Sequence, residues 1–187
     1  MAGPWLTTRF LPPADWSKHS TDSEKSLQYF FDQCHAAGAF RCPFYADSPA
    51  QISQRFDAIL DKVKAQPVPV YNPGSPVSGV LNYFMLKNAV FQSLYAPLES
   101  YYIMAEGLAE LERGNGTIMF QLSSGSPHAE VVGAITCTDG KKVTDNATAL
   151  EGYYNSFKDS SIFASVPGQF RILCSLVLSF RRDCVSS

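Results

Sequence analysis

The sequence predicts a mainly α-helical fold that contains one or two short strands. In several segments the apolar residues recur at the spacing of one helix face. These segments begin at capping residues and end at glycine or proline, as helices do. The clearest strand pattern, residues 131–137, is short. With 187 residues and 45% apolar content, the chain is long enough for one domain with its own core.

The first helix is predicted after an irregular, proline-rich lead-in that covers residues 1–21. Thr21 or Asp22 can cap its start, because their side-chain oxygens accept hydrogen bonds from the first turn. Gly38 is a natural stop. Between them, four residues recur at helical spacing: Leu27, Phe30, Phe31 and Cys34.

The second helix is predicted to begin at Ser48, a capping residue. Pro49 then takes the first helical position, where its missing N–H costs nothing. Pro67 ends the helix. One face of this helix carries Ile52, Phe56, Ile59, Leu60 and Val63.

The middle of the chain predicts a short extended piece and three further helices. Residues 68–71 are extended before a turn at Asn72-Pro73-Gly74. We expect Ser78 to open the next helix and residues 98–111 to form another. Residues 117–124 could form a helix or a strand, and the pattern favours a helix. The helix that Ser78 opens has a broad side made by Leu81, Phe84, Met85, Asn88, Phe91 and Gln92.

The last third of the chain predicts one strand followed by two helices. The strand, residues 131–137, stops at an Asp-Gly pair, and Thr144 or Asp145 can cap the helix after it. Residues 161–175 are expected to form another helix, broken near its proline. A strand needs hydrogen-bonding partners for its backbone, so this one implies a sheet that lies mostly outside the chain.

Composition disfavours two classes of partner. The formal net charge is -2 and no run of Lys or Arg exceeds two residues, whereas binding to nucleic acid needs clustered positive charge. No apolar stretch reaches the roughly 20 residues that cross a membrane. We therefore expect neither a nucleic-acid partner nor a membrane span.

The marks of secretion are mixed. Asn115 and Asn146 each begin an Asn-x-Thr triplet, the acceptor pattern for N-glycosylation, although such triplets also arise by chance. Residues 1–16 contain three prolines and no continuous apolar segment, so no signal peptide is visible there.

Catalytic and metal-binding motifs are absent from the sequence. The three histidines are His19, His35 and His128, and no HExxH, CxxC, GxGxxG, phosphate-loop or GxSxG pattern occurs. Ser126 lies near His128 in sequence, but such close neighbours rarely form a nucleophile–base pair. We expect no cofactor, no metal and no complete catalytic triad within this chain.

Asp139 is the carboxylate that best fits a binding site. It directly follows the predicted strand and precedes a glycine. In open α/β sheets, ligands bind beyond the carboxyl ends of the strands. The sequence leaves two roles open, ligand binding or bracing of the turn, and the local pattern favours the second.

The five cysteines allow disulfides without requiring them. Cys34 and Cys42 flank a short turn-like stretch, so a bridge would pin a helix end to the loop after it. Cys137 and Cys174 are a second candidate pair, and Cys184 is the fifth cysteine. The alternative is that they are buried free thiols, which behave as small hydrophobic residues.

An ordered set of segments carries a resemblance that extends over residues 16–175. The set resembles the fungal tripeptidyl-aminopeptidase-like serine hydrolases, which are α/β-hydrolases with a TAP-like carboxyl-terminal region. The segments, in order, are LQYFFDQCHAAGAFRCPFY, RFDAILDKVKAQPVPV, LNYFMLKNAVFQSLYAPLES, LAELERGNGT, AITCTDG and ILCS.

The resemblance implies a helical cap of an α/β-hydrolase followed by a return into its core. It divides the chain into a lead-in at 1–21, the helical cap at 22–130, a partial core at 131–175 and an atypical tail at 176–187. The strand at 131–137 would then belong to the core sheet.

The family's catalytic segments fall outside the matched region. Its GxSxG elbow is expected before Trp16, and its catalytic Asp and His after Cys174. Where the family has a Cys-x-x-Trp-like stretch, this chain has CSLVLSFRRDCVSS. The resemblance therefore implies a truncated chain, inactive alone, whose missing partner is the hydrolase core.

The implied activity of the intact enzyme is peptide hydrolysis by a serine exopeptidase, with a peptide or small ester as substrate. Asp139 would hold the free amino terminus of the substrate. Full-length relatives are expected to be secreted, which favours the Cys34–Cys42 and Cys137–Cys174 bridges; no location is implied for this chain itself.

Two other functions remain open. One is a non-catalytic helical module that binds a partner or a small apolar ligand, since Phe40 and Phe44 lie in predicted loops where a partner could cover them. The alternative role of Phe40 and Phe44 is that both rings only seal the loops onto the helices. The other function is an unrelated small enzyme that uses His128 or Asp139.

Overall fold

The computed structural model of the chain describes residues 22–71, 78–124, 137 and 145–183. In these ranges the fold is mainly helical, as the sequence predicts, with one two-stranded antiparallel sheet. The elements in chain order are α1 Ser23–Ala37, α2 Pro49–Ala65, β1 Val68–Tyr71, β2 Ser78–Leu81, α3 Tyr83–Ser93, α4 Pro97–Glu112, α5 Thr117–Ser123, α6 Ala147–Phe157 and α7 Ser165–Asp183.

The first two helices begin and end close to the predicted residues. Asp22 occupies the N-cap position of α1, but its carboxylate pairs with Lys25 and makes no capping hydrogen bond to the backbone. Gly38 follows the last residue of α1 with a φ of 74°, which favours glycine. The Ser48 hydroxyl accepts a hydrogen bond from the Gln51 N–H at 3.2 Å. The apolar residues predicted for both faces are buried.

The helix predicted to open at Ser78 begins later, and this part of the prediction is wrong. Ser78–Leu81 forms β2, with Leu81 opposite Val68 and Ser78 opposite Tyr71. Asn82 then caps α3 by accepting a hydrogen bond from the Met85 N–H at 2.9 Å. The turn predicted at Asn72-Pro73-Gly74 lies outside the described residues.

The last two helices also differ from the prediction. Asn146 caps α6, with its carboxamide oxygen 2.9 Å from the Ala149 N–H, whereas Asp145 forms an ion pair with Arg171. Thr144 lies outside the described residues. Pro167 does not break α7, because it occupies the first turn, where a backbone N–H has no partner within the helix.

The predicted strand at 131–137 is described at one residue only. That residue, Cys137, is helical and not extended, so the strand prediction is wrong there. The rest of the strand, together with the lead-in at 1–21, lies outside the described residues.

One hydrophobic core joins α1–α5 to the start of α7, and Cys137 and Cys174 form a second, small cluster. Tilted pairs of aromatic rings connect α1 to α2 through Phe31 and Phe56, and α3 to the segment before α7 through Phe91 and Phe163. Phe163 and Val166 therefore belong to the same core as α1–α5, although the sequence places them in a different region from the cap. Within the described parts of the chain, no helix is both long and apolar enough to cross a membrane.

Candidate functional site

A pocket of about 210 Å³ opens between α1, α4 and the loop that follows α1. Both helices face it with aromatic and small side chains. The lining consists of Phe30, Gln33, Cys34, Ala37, Arg41, Cys42, Tyr101, Tyr102 and Ala105.

The loop that forms one wall of the pocket is tied back onto α1. The Gly38 carbonyl accepts hydrogen bonds from the N–H groups of Arg41 and Cys42, at 3.1 and 3.0 Å. Cys34 and Cys42 form a disulfide, with their Cα atoms 5.3 Å apart. The wall is thus fixed covalently to the last turns of α1, as the sequence allowed.

The floor of the pocket is an aromatic pair. Phe30 of α1 is buried and meets Tyr101 of α4 edge-on, with ring centroids 5.1 Å apart. The Tyr101 hydroxyl donates to the Ser26 carbonyl at 3.3 Å. Burial raises the pKa of Tyr101, so its hydroxyl keeps its proton at neutral pH.

The mouth of the pocket combines exposed aromatic surface with a positive charge. Tyr102 lines the pocket and is 58% exposed. Phe40 precedes Arg41 in the chain and is 99% exposed, but it does not line the pocket. Arg41 forms no ion pair with any side chain in the part of the chain that the structure describes. The lining contains no carboxylate. The site is therefore apolar inside and cationic at its edge.

Arg55 of α2 anchors the same loop from its other side. One guanidinium nitrogen donates to the carbonyls of Phe44 and Tyr45, at 3.3 and 2.8 Å, and the guanidinium lies 4.4 Å from the Phe44 ring centroid. The other two nitrogens bind both carboxylate oxygens of Glu112 at the end of α4. Phe44 is fully buried, so this ring seals the loop onto the helices, whereas Phe40 stays in solvent.

His35, the histidine closest to the pocket lining in sequence, is in a structural setting. Its Nδ1 lies 3.1 Å from the Ala46 carbonyl oxygen, and its ring stacks on Tyr45 with centroids 5.8 Å apart. His19, His128 and Ser126 lie outside the described residues. Within the described ranges, no three side chains of the metal-binding types come together.

Lys87 is the most unusual ionisable group of the described core. Its side chain is 7% exposed, and its ammonium group lies 4.5 Å from the centroid of the Tyr83 ring. Burial and the nearby Lys64 both lower the pKa of Lys87. The aromatic face compensates part of the cost of burying this charge. No carboxylate pairs with it in the part of the chain that the structure describes.

The remaining predicted site residues fall into two groups. Asp139 lies outside the described residues, but Cys137, two positions earlier, forms a disulfide with Cys174 of α7, with Cα atoms 5.0 Å apart. Asn115 and Asn146 are both exposed. The Asn115 side chain donates to Glu110 at 3.2 Å and accepts from the Thr117 hydroxyl at 2.8 Å, so it braces the turn between α4 and α5.

The pocket was not predicted from the sequence. Its two walls come from helices that are distant in the chain, and neither helix carries a motif that marks it. The available signal was the pair of cysteines around a short loop next to exposed aromatic residues. Comparison with protein-family models, with curated proteins and with solved structures found no match.

Proposed function

We propose that the chain is a cap-containing fragment of a serine exopeptidase-like α/β-hydrolase and that it acts by binding and shaping, without chemistry of its own. In the intact enzyme the core sheet would supply the activated serine and the oxyanion hole. The substrate would be a peptide or a small ester.

The observation that carries this proposal is a helical unit with its own core that still exposes large apolar side chains. Leu98 at the start of α4 is fully exposed, and so is Phe40. Tyr95, in the turn before α4, is 66% exposed. Single exposed apolar residues are ordinary, but a cap must present such side chains to the core that it covers. The order of the resembling segments supports the same assignment.

Two further roles belong to this proposal. Asp139 would hold the ammonium group of the substrate's amino terminus through charge-assisted hydrogen bonds. The two disulfides of the structure suit an oxidising compartment, which supports secretion of the intact enzyme.

Reaction with an active-site probe tests whether the chain has chemistry of its own. We expect the purified chain to show no labelling by a fluorophosphonate above that of its heat-denatured form, and no turnover of aminoacyl- or tripeptidyl-anilides. An active serine hydrolase serves as the positive control. Stoichiometric labelling of a serine, or saturable turnover, would contradict the proposal.

A second candidate function is a non-catalytic module that binds a small ligand. The pocket between α1 and α4 favours it, because an aromatic floor and a disulfide-fixed wall form a concave site within this chain alone. An absence of fluorophosphonate labelling would be consistent with this second function as well.

A further inference from the structure

We infer that the pocket between α1 and α4 binds a small carboxylate that carries an apolar, ring-sized body, with Arg41 as the partner of the carboxylate. This inference rests on the small-ligand function proposed above and names the class of ligand. It needs no residue outside the described ranges.

The apolar body is selected by the inner surface of the pocket. Phe30 and Tyr101, which meet edge-on, both line the pocket, and Ala37 and Ala105 leave room beside them because their side chains are small. A ring that enters makes aromatic contacts there and removes apolar surface from water. Tyr102 at the mouth can cover the ligand's outer face.

The charge of the ligand is selected by Arg41. It is the one charged side chain of the nine that line the pocket, and a guanidinium binds carboxylates with two parallel hydrogen bonds. Gln33 adds a carboxamide that can donate a further hydrogen bond.

The partial negative charge at the carboxyl-terminal end of α1 repels an anion, but more weakly than the charge of Arg41 attracts one. A helix carboxyl terminus is equivalent to about half a negative charge, against the full positive charge of the guanidinium. Part of that negative charge is already satisfied, because the carbonyls of His35 and Gly38 accept hydrogen bonds from the residues that follow. A cationic ligand would meet Arg41 directly, so a carboxylate is the better match.

The pocket is prepared for the ligand before binding. The Cys34–Cys42 disulfide holds one side of the loop, and Arg55 holds the other side through the Phe44 and Tyr45 carbonyls. Little ordering of the wall is then needed on binding, which lowers the entropic cost.

Calorimetry with three probes of the same shape tests this inference. The probes are 3-phenylpropanoate, its neutral amide and 3-phenylpropylamine, each titrated into the full chain with its disulfides intact. We expect saturable binding of the carboxylate, with the amide up to about fivefold weaker and the amine weaker still, as for one exposed ion pair.

Three variants locate the site. Arg41→Gln is expected to reduce carboxylate binding to the level of the amide, whereas Lys158→Gln, which removes the same charge outside the pocket lining, should leave it unchanged. Ala37→Phe fills the pocket from an exposed position and should abolish binding. Circular dichroism melting curves check that each variant is folded.

The outcomes separate this inference from the function on which it rests. If all three probes bind equally and Ala37→Phe abolishes that binding, the carboxylate preference is overturned and a small-ligand site is kept. Failure of all three probes to bind the folded chain would overturn both. Carboxylate binding that Arg41→Gln leaves unchanged would also overturn the assignment of Arg41.

Discussion

Removal of the Cys137–Cys174 disulfide by a double change to alanine is expected to lower the free energy of unfolding by about 4 kcal/mol. The bridge spans a sequence separation of 37 residues, and without it the unfolded chain gains the freedom of that whole loop. Chemical denaturation followed by circular dichroism measures the loss.

The Cys34–Cys42 bridge is the matched control. It spans a separation of only 8 residues, so the same double change there should cost less, about 2.5 kcal/mol. Both sulfur pairs are buried, so the cavities that alanine leaves are similar in kind. A larger loss at the short loop than at the long one would contradict the view that loop length sets the contribution of each bridge to stability.

Replacement of Arg55 by methionine is expected to lower the free energy of unfolding by about 3 kcal/mol at neutral pH. The change leaves the carbonyls of Phe44 and Tyr45 without their donor, and most of the loss comes from these partly buried groups. The half-exposed ion pair with Glu112 adds a smaller amount. Arg113→Met, which removes an arginine that pairs with Glu110 on the surface, is the control and should cost much less.

The penalty of Arg55→Met should also depend on pH. The hydrogen bonds from Arg55 are the largest cause that holds the pKa of Glu112 below its usual 4.5. A carboxylate with a lowered pKa in the folded state stabilises the fold above its unfolded pKa and loses that contribution as pH falls through the folded pKa. The difference between the wild-type chain and Arg55→Met should therefore shrink below about pH 4.5. A difference that stays constant from neutral to strongly acidic pH would assign the whole effect to the carbonyl contacts.

The helices that the sequence predicts well are those with strong local signals. Ser48 and Pro49 mark the start of α2, and Gly38 marks the end of α1, because each residue meets a backbone requirement of its own position. Pro167 also acts through its own position, and there the prediction of a broken helix was wrong. A proline breaks a helix interior, but its position relative to the helix start decides the effect, and the sequence did not show where α7 begins.

The strand β2 depends on contacts that local pattern does not contain. A strand of four residues is too short for its period to be separated from a first helical turn. Gly79 in this strand lies against Phe120, where an added Cβ would come within 2.5 Å of the ring. That close approach and the pairing with β1 select the extended form, and both come from residues distant in sequence.

The candidate site was predictable only in part. Cys34 and Cys42 indicated that the loop after α1 could be fixed, and the structure joins them. The pocket itself depends on the packing of Tyr101 and Ala105 against α1, far along the chain. No residue pattern marks Arg41 as a binding group, because its importance comes from the apolar surroundings that the fold gives it.

The most direct test of the cap assignment is full-length sequencing of the transcripts that encode this chain. We predict that the reading frame continuous with the chain also encodes a Gly-x-Ser-x-Gly elbow on the amino-terminal side of Trp16, and a catalytic Asp and His on the carboxyl-terminal side of Cys174. Transcripts whose open frame holds these helices with neither the elbow nor the Asp and His would contradict the assignment.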